Sequence, residues 1–264
     1  MDLEKITQQA CEVVKQAADF IKKESKSFDA ASVEHKGLHD LVSYVDKTSE
    51  KILVEGLRKV LPKAGFITEE STVEQSKLDL CWIIDPLDGT TNFVHGLPCY
   101  CVSVALMQSN KLVIGIVHEI NLDECFYGWD KGGAWLNGKR IHTSKTNSLN
   151  HALLATGFPY YNYSRMTEYM EVFDYCLRNT RGLRRLGSAA ADLAYVACGR
   201  MDGFYEYGLK AWDVAGGALL VKEAGGSVSD FKGGIDFVFG EEIITCNAGT
   251  YDEFLSVIKK AFNK

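Results

Sequence analysis

Asp85 and Asp88 lie in the segment Asp85-Pro86-Leu87-Asp88-Gly89-Thr90-Thr91, directly after the apolar run Leu80-Cys81-Trp82-Ile83-Ile84. Glu69 and Glu70 follow the short apolar pair Phe66-Ile67, and Asp213 follows Trp212 far downstream. Carboxylates brought together from such positions repel by roughly 4 kcal/mol per pair at about 4 Å and an effective dielectric near 20. A fold retains such a cluster only with cations to neutralise it. A set without a nearby histidine or thiolate favours a hard cation, Mg2+ above all.

The residues after Asp88 supply the complementary half. Gly89-Thr90-Thr91-Asn92-Phe93 can turn into a helix whose free N–H groups point at an anion. Metal carboxylates beside such a helix start make a phosphate site. Two or more cations there would activate water, bridge phosphate oxygens and stabilise a leaving alkoxide. The sequence offers no serine or cysteine constellation of comparable quality, so attack by activated water is preferred over a covalent enzyme intermediate. Singly the pieces are ordinary: Glu69-Glu70 reads as a solvated loop pair, Asp-x-x-Asp-Gly as a turn or helix cap, and Trp212-Asp213 as an N-cap after a core tryptophan. Together, in this order, they point to a metal-dependent phosphoesterase.

The elements that must position these residues follow from periodicity. Ile6, Ala10, Val13, Val14, Ala17, Phe20 and Ile21 recur at helical spacing, and residues 43–61 form a second helix stopped by Pro62. Residues 28–40 are mostly polar. Strands are predicted at 66–67, 80–84, 101–106, 112–117 and 125–129. The turns Ser109-Asn110 and Asn121-Leu122-Asp123 suggest an antiparallel meander. Asn137-Gly138 suits the tip of a type I′ hairpin. Further on, strands at 152–156, 203–205 and 243–246 alternate with helices at 166–179, 187–198, 214–224 and 251–262. The pattern is α+β followed by α/β, with residues 1–147 forming an N-terminal lobe, 148–264 a C-terminal lobe, and the two joined in one compact unit.

The 264 residues carry 46% apolar and 24% charged side chains, enough to bury a substantial core, and a net charge of −6 that argues against a nucleic-acid footprint. Neither a signal-peptide core nor an apolar run of roughly 20 residues is present. The eight cysteines, at positions 11, 81, 99, 101, 125, 176, 198 and 246, include no Cys-x-x-Cys pair. Reduced, mostly buried thiols in cytosol fit them better than a disulfide framework. Cys99 and Cys101 would share a face if both lay on one strand.

Three segments carry a resemblance: Ile67-Thr68-Glu69-Glu70-Ser71, Asp85-Pro86-Leu87-Asp88-Gly89-Thr90-Thr91-Asn92-Phe93, and Trp212-Asp213-Val214-Ala215-Gly216-Gly217. They resemble the signatures of the inositol monophosphatase family, within the lithium-sensitive, Mg2+-dependent phosphatase superfamily. The stretch Lys36-Gly37-Leu38-His39-Asp40-Leu41-Val42-Ser43-Tyr44-Val45-Asp46 resembles the upstream signature, with Ser43 where threonine is frequent. The likeness covers almost the whole chain. It implies a layered αβαβα sandwich, a cytoplasmic homodimer, two to three Mg2+ ions and inhibition by Li+.

Carried over by motif, Glu69, Asp85 and the Leu87 carbonyl would hold the first ion. Asp85, Asp88 and Asp213 would hold the second, and Glu69 with waters a weaker third. Thr90, supported by Asp46, and Glu70 would position or activate the attacking water. The Gly89 and Thr90 amides would receive the phosphate, with Lys36 near it. Gly187-Ser188-Ala189 matches the segment lining the inositol pocket, and Glu206 stands where the family places an acid that binds inositol hydroxyls. Glu69, Leu87, Asp88 and Asp213 would also touch the substrate. Arg184-Arg185 reads equally as a solvated or interface pair, and His95 as a helix-surface residue. Fructose 1,6-bisphosphate, histidinol phosphate and 3′-phosphoadenosine-5′-phosphate stay open as substrates, as does a regulatory binding role without catalysis.

Overall fold

Helix α1 (Leu3–Glu24) starts on Asp2, whose carboxylate accepts the Lys5 amide at 3.1 Å, and buries Ile6, Ala10, Val13, Val14, Ala17 and Ile21 along one stripe. Helix α2 (Tyr44–Val60) starts on a capping box in which Asp46 Oδ2 accepts the Ser43 amide at 2.8 Å. The computed structural model describes residues 1–28, 34–35, 41–76, 78–160 and 162–262, with backbone alone at 34–35 and 41–42. Lys36 lies outside the described residues. Two short strands, β1 (Glu34–His35) and β2 (Leu41–Val42), pair antiparallel.

The two helices cover one face of a seven-stranded sheet, ordered β3-β4-β5-β6-β7-β8-β9. Its strands are β3 (Gly65–Thr68), β4 (Leu80–Asp88), β5 (Cys101–Gln108), β6 (Lys111–Glu119), β7 (Glu124–Trp129), β8 (Gly133–Leu136) and β9 (Lys139–Ile141). The expected meander is present from β4 onward, whereas β3 lies parallel to β4. Between β8 and β9, Asn137 and Gly138 both have positive φ, 46° and 80°, as a type I′ turn demands. Residues on β5 alternate between two cores: Val102, Val104 and Leu106 face α1 and α2, while Cys101, Ala105 and Met107 face the other side. Burial on both faces explains why β5 and β6 read as nearly unbroken apolar runs.

The other face meets α5 (Ala189–Ala197) and α6 (Ala211–Glu223), which form a middle layer. Beneath lies a second sheet, ordered β11-β10-β12-β14-β13. Its strands are β10 (Leu153–Thr156), β11 (Gly182–Arg184), β12 (Gly203–Tyr207), β13 (Ser227–Ser229) and β14 (Glu242–Cys246). Helices α4 (Met166–Asn179) and α7 (Tyr251–Phe262) close its outer face. A five-residue helix, α3 (Thr90–Val94), completes the seven α-helices among the described residues. The layers are therefore αβαβα, as the family resemblance implies. Among the described residues, no helix is long and apolar enough to cross a membrane.

Several elements differ from the periodicity. Strands β11 and β13 escape it because three residues are too few to show alternation. Strand β4 runs through Pro86 to Asp88, where a break at Ile84 was expected. The β4–β5 ladder skips Pro86 and Leu87, so the missing proline amide falls at the irregularity. Helix α6 begins at Ala211, which moves Asp213 from the expected N-cap into the first turn. Cys99 precedes β5 and does not share a strand with Cys101.

Candidate active site

The register shift at the end of β4 sets the geometry. Asp85 is the last residue in the regular ladder, opposite Ser103, and Asp88 re-enters it opposite Cys101. The intervening turn is fixed by Asp85 Oδ1, which accepts the Leu87 amide at 3.0 Å. Gly89 then turns the chain into α3 with φ 92°; a side chain there would meet the Cys99 carbonyl at 2.9 Å. Because β3 runs parallel to β4, both strands end at the same edge. The Glu69 amide donates to the Ile84 carbonyl at 3.3 Å, which places Glu69 beside Asp85.

Asp213 arrives from the middle layer. Its Oδ2 accepts the Lys210 amide at 2.6 Å in the first turn of α6. Carboxylate oxygens of Asp85, Asp88 and Asp213 all lie within 4.8 Å of one another. Burial, then the charges of Glu69, Asp88 and Asp213, holds the Asp85 carboxyl well above its ordinary range. Burial raises Asp88 to about 6, against hydrogen bonds from Ser188 and Ala190. Asp213 is raised to about 7 by burial and then by the Asp88 charge. An all-oxygen set with this much mutual repulsion fits hard divalent cations.

These groups wall a cleft of about 370 Å³. Glu69, Asp85, Leu87, Asp88, Gly89 and Thr90 line it, and so do Gly187, Ser188, Ala189, Glu206 and Asp213. Asp46 stands behind this wall, fully buried. Its Oδ2 accepts the Ser43 amide and hydroxyl, while Oδ1 takes the Thr90 hydroxyl at 3.0 Å. Burial raises the Asp46 carboxyl, and the bonds from Ser43 and Thr90 oppose that rise. The Thr90 hydroxyl also reaches the Leu87 carbonyl at 2.9 Å. Ser188 is already engaged: its hydroxyl donates to Asp88 Oδ2 at 2.7 Å, so it aims a metal-ligand candidate. Glu70 is not among the lining residues, and its amide is held by Glu50 at 2.7 Å. His95 is exposed at the end of α3, outside the lining.

Glu206 is buried on β12, not an exposed strand residue, and packs against Gly157, where a Cβ would come within 2.0 Å of Oε2. Parallel pairing of β10 with β12 puts Gly157 there, one residue beyond the Thr156–Tyr205 pair. Burial, followed by the Asp192 and Asp213 charges, raises the Glu206 carboxyl well above its ordinary range.

Several site residues were missed by sequence reasoning. Glu50 accepts from the Thr68 hydroxyl, the Glu70 amide and both the amide and hydroxyl of Thr72, so it ties down the loop carrying Glu69 and Glu70. Its signal was present: Asp46 and Glu50 stand one helical turn apart among the buried positions of α2. Asn92 joins α3 to the Gly187 loop, donating to the Cys99 and Leu186 carbonyls. Asp192 lines the cleft from α5 with Oδ1 buried and unpartnered among the described residues. Arg184 is exposed, but Arg185 borders the cleft, donates to the Tyr160 hydroxyl at 2.6 Å and covers the Phe158 ring. Half of the Arg-Arg pair is thus part of the site, where a solvated pair was an equal expectation.

A model of the inositol monophosphatase family matches residues 2–261. The chain belongs to the inositol monophosphatase family. Its relatives in that family include the inositol-1-monophosphatase of Mesorhizobium japonicum, 40% identical over 226 residues and 85% of each chain. The Nus factor SuhB of Escherichia coli strain K12 is 41% identical over 239 residues, 90% of each. Among solved structures, the extragenic suppressor protein suhB of Bartonella henselae superposes with TM-score 0.90 at 36% identity, covering 98% of this chain and 99% of that one. The IMPase of Thermotoga maritima gives 0.86 at 33% identity, covering 96% of both. Phosphatase chemistry is the family's, and the cluster of Asp85, Asp88 and Asp213 could hold a metal ion.

Proposed function

We propose that this chain is a Mg2+-dependent phosphomonoesterase that hydrolyses myo-inositol monophosphate to myo-inositol and phosphate, acting as a cytoplasmic homodimer. One observation carries the reading: Glu69, Asp85, Asp88 and Asp213 line the same cleft as Glu206, with oxygens of Asp85, Asp88 and Asp213 within 4.8 Å of one another. Glu69, Asp85, the Leu87 carbonyl, Asp88 and Asp213 would hold two to three ions. When bound, such cations neutralise phosphate charge and acidify water.

The protein's own groups divide the remaining work. Donation of the Thr90 proton to Asp46 Oδ1 leaves the Thr90 oxygen as an acceptor for the attacking water. Glu70 would assist from the neighbouring loop. The Gly89 and Thr90 amides receive the phosphate. Glu206 accepts from ring hydroxyls of the polyol, which fixes the leaving oxygen in line with the incoming water. Water then attacks phosphorus and gives up a proton, the bond to the polyol oxygen breaks, and that oxygen takes up a proton in exchange, so the net transfer is from the water to the polyol.

Turnover on inositol monophosphate, fructose 1,6-bisphosphate, histidinol phosphate and 3′-phosphoadenosine-5′-phosphate tests the substrate. Efficient cleavage of another ester with none of inositol monophosphate would overturn it. Li+ should inhibit; full activity in Li+ would remove that family trait from this chain. The likeness to proteins named Nus factor SuhB favours a second reading as a regulatory binding protein. The complete acidic set favours catalysis over binding alone. Asp88→Asn separates the two, since it should abolish turnover while a pure binding role would survive it.

A further inference from the structure

The face of the first sheet opposite the acidic cluster carries a second constellation. Cys125 of β7 stands directly across from His118 of β6, so both side chains project to the same face. That face is covered by α1, and Cys11 of α1 packs there with Cys125 at the rim of the same core. The Cys11 and Cys125 side chains interact with each other, and Cys125 also interacts with His118. His118 is buried. Its Nε2 lies 3.2 Å from Asp123 Oδ1, and its Nδ1 is buried with no partner among the described residues. Donation from Nε2 to Asp123 leaves Nδ1 as a proton acceptor. Lys15 of α1 also reaches Asp123, at 2.9 Å.

Of the eight cysteines, Cys125 is the one whose thiol is pulled down in pKa; the other seven are pushed up, Cys11 first by Cys125 and the remaining six chiefly by burial. The Cys11 contact is the first cause of that lowering, and His118 adds to it against burial. Cys11 is raised first by the same contact, so within the pair the negative charge is favoured on Cys125. Both are half-buried, within reach of a small oxidant.

We propose that Cys11 and Cys125 form a peroxide-oxidisable dithiol, with Cys125 as the attacking group, the His118–Asp123 pair as its proton acceptor and Cys11 as the resolving thiol. In the first step Cys125 Sγ attacks an oxygen of a hydroperoxide. The S–O bond forms, the O–O bond breaks, and the leaving alkoxide takes the proton held at His118. In the second step Cys11 Sγ attacks the sulfenic sulfur, the S–S bond forms, and water leaves with the Cys11 proton. Two thiols lose two electrons, and one hydroperoxide is reduced to an alcohol and water. The bond ties α1 to β7, and nothing in the inference depends on the phosphatase reading.

The test uses the full chain, hydrogen peroxide and non-reducing peptide mapping. One new linkage, Cys11 to Cys125, is expected, reversed by dithiothreitol. Cys125→Ser should abolish it. Cys11→Ser should leave a sulfenic acid at Cys125 that dimedone captures. Asp123→Asn, in a half-exposed turn, should slow alkylation of Cys125 by iodoacetamide on the order of tenfold, the effect of one pKa unit on the thiolate fraction. Linkage between other cysteines would overturn the proposal. So would a Cys125 that alkylates no faster than half-buried Cys198, or a Cys11→Ser variant without a dimedone adduct at Cys125.

Discussion

Removing one charge from the acidic cluster should stabilise the protein when divalent cations are stripped away. Asp88→Asn preserves the side chain's shape, and asparagine Oδ1 can still accept from the Ser188 hydroxyl and the Ala190 amide, each at 2.7 Å from Asp88 Oδ2. Three carboxylates with oxygens within 4.8 Å repel by about 3 kcal/mol per pair at an effective dielectric near 20. The pKa gives a similar size. Asp88 rises from 3.8 to about 6, about two units, or ~3 kcal/mol at 1.36 kcal/mol per unit. Burial is the first cause at Asp88 itself, whereas the Asp88 charge acts as a repulsive cause on Asp85 and Asp213. Both costs vanish when Asp88 is neutral.

The sign follows from proton binding. A raised carboxyl holds its proton more tightly in the folded chain, so stability is highest below the unfolded pKa and falls as pH rises through the folded one. For Asp88 the window runs from 3.8 to about 6, and Asp213 extends it to about 7. In chelator at about pH 8, urea unfolding should show Asp88→Asn more stable than the parent by ~3 kcal/mol. The gap should close toward about pH 4. Adding Mg2+ should raise the parent's stability through mass action and the variant's much less. A variant no more stable than the parent at about pH 8 in chelator, or a parent with flat stability between about pH 5 and 8, would refute the electrostatic account.

Two further substitutions probe the supports of the site. Glu50→Ala strips acceptors from Thr68, Glu70 and Thr72; of these Thr68 is buried, and an unsatisfied buried donor costs about 1–3 kcal/mol. Calorimetric titration should show divalent-cation affinity weakened about tenfold, with a stability loss of about 1–3 kcal/mol by denaturant unfolding; unchanged affinity would detach Glu50 from the metal centre. Gly157→Ala places a methyl 2.0 Å from Glu206 Oε2, which must swing aside. KM for inositol monophosphate should rise at least about tenfold, the value of one charged hydrogen bond, while kcat on a simple aryl phosphate changes little. Equal effects on both substrates would show that Gly157 serves the fold alone.

The metal-ligand candidates were legible in the sequence because their cues are local. An apolar strand running into Asp85-Pro86-Leu87-Asp88-Gly89 announces its turn, and Trp212-Asp213 marks the beginning of a helix to within a few residues. The stripe of α1 and the Asn137-Gly138 hairpin were legible for the same reason. Convergence was not. Glu69 reaches Asp85 because β3 pairs parallel with β4, against the antiparallel trend of the strands that follow. Asp213 reaches Asp88 because α6 is clamped between two sheets. Glu206, Gly157 and Arg185 meet only once β10 and β12 lie side by side, and Cys11 finds Cys125 only when α1 is laid across β6 and β7. Alternation, caps and turn residues act over a few bonds, so the sequence by itself determined the elements and the residue types of the metal centre. Which strand lies beside which depends on burying whole faces at once. That tertiary choice decided the cleft, the place of Glu206 in it and the thiol pair on the sheet's other face.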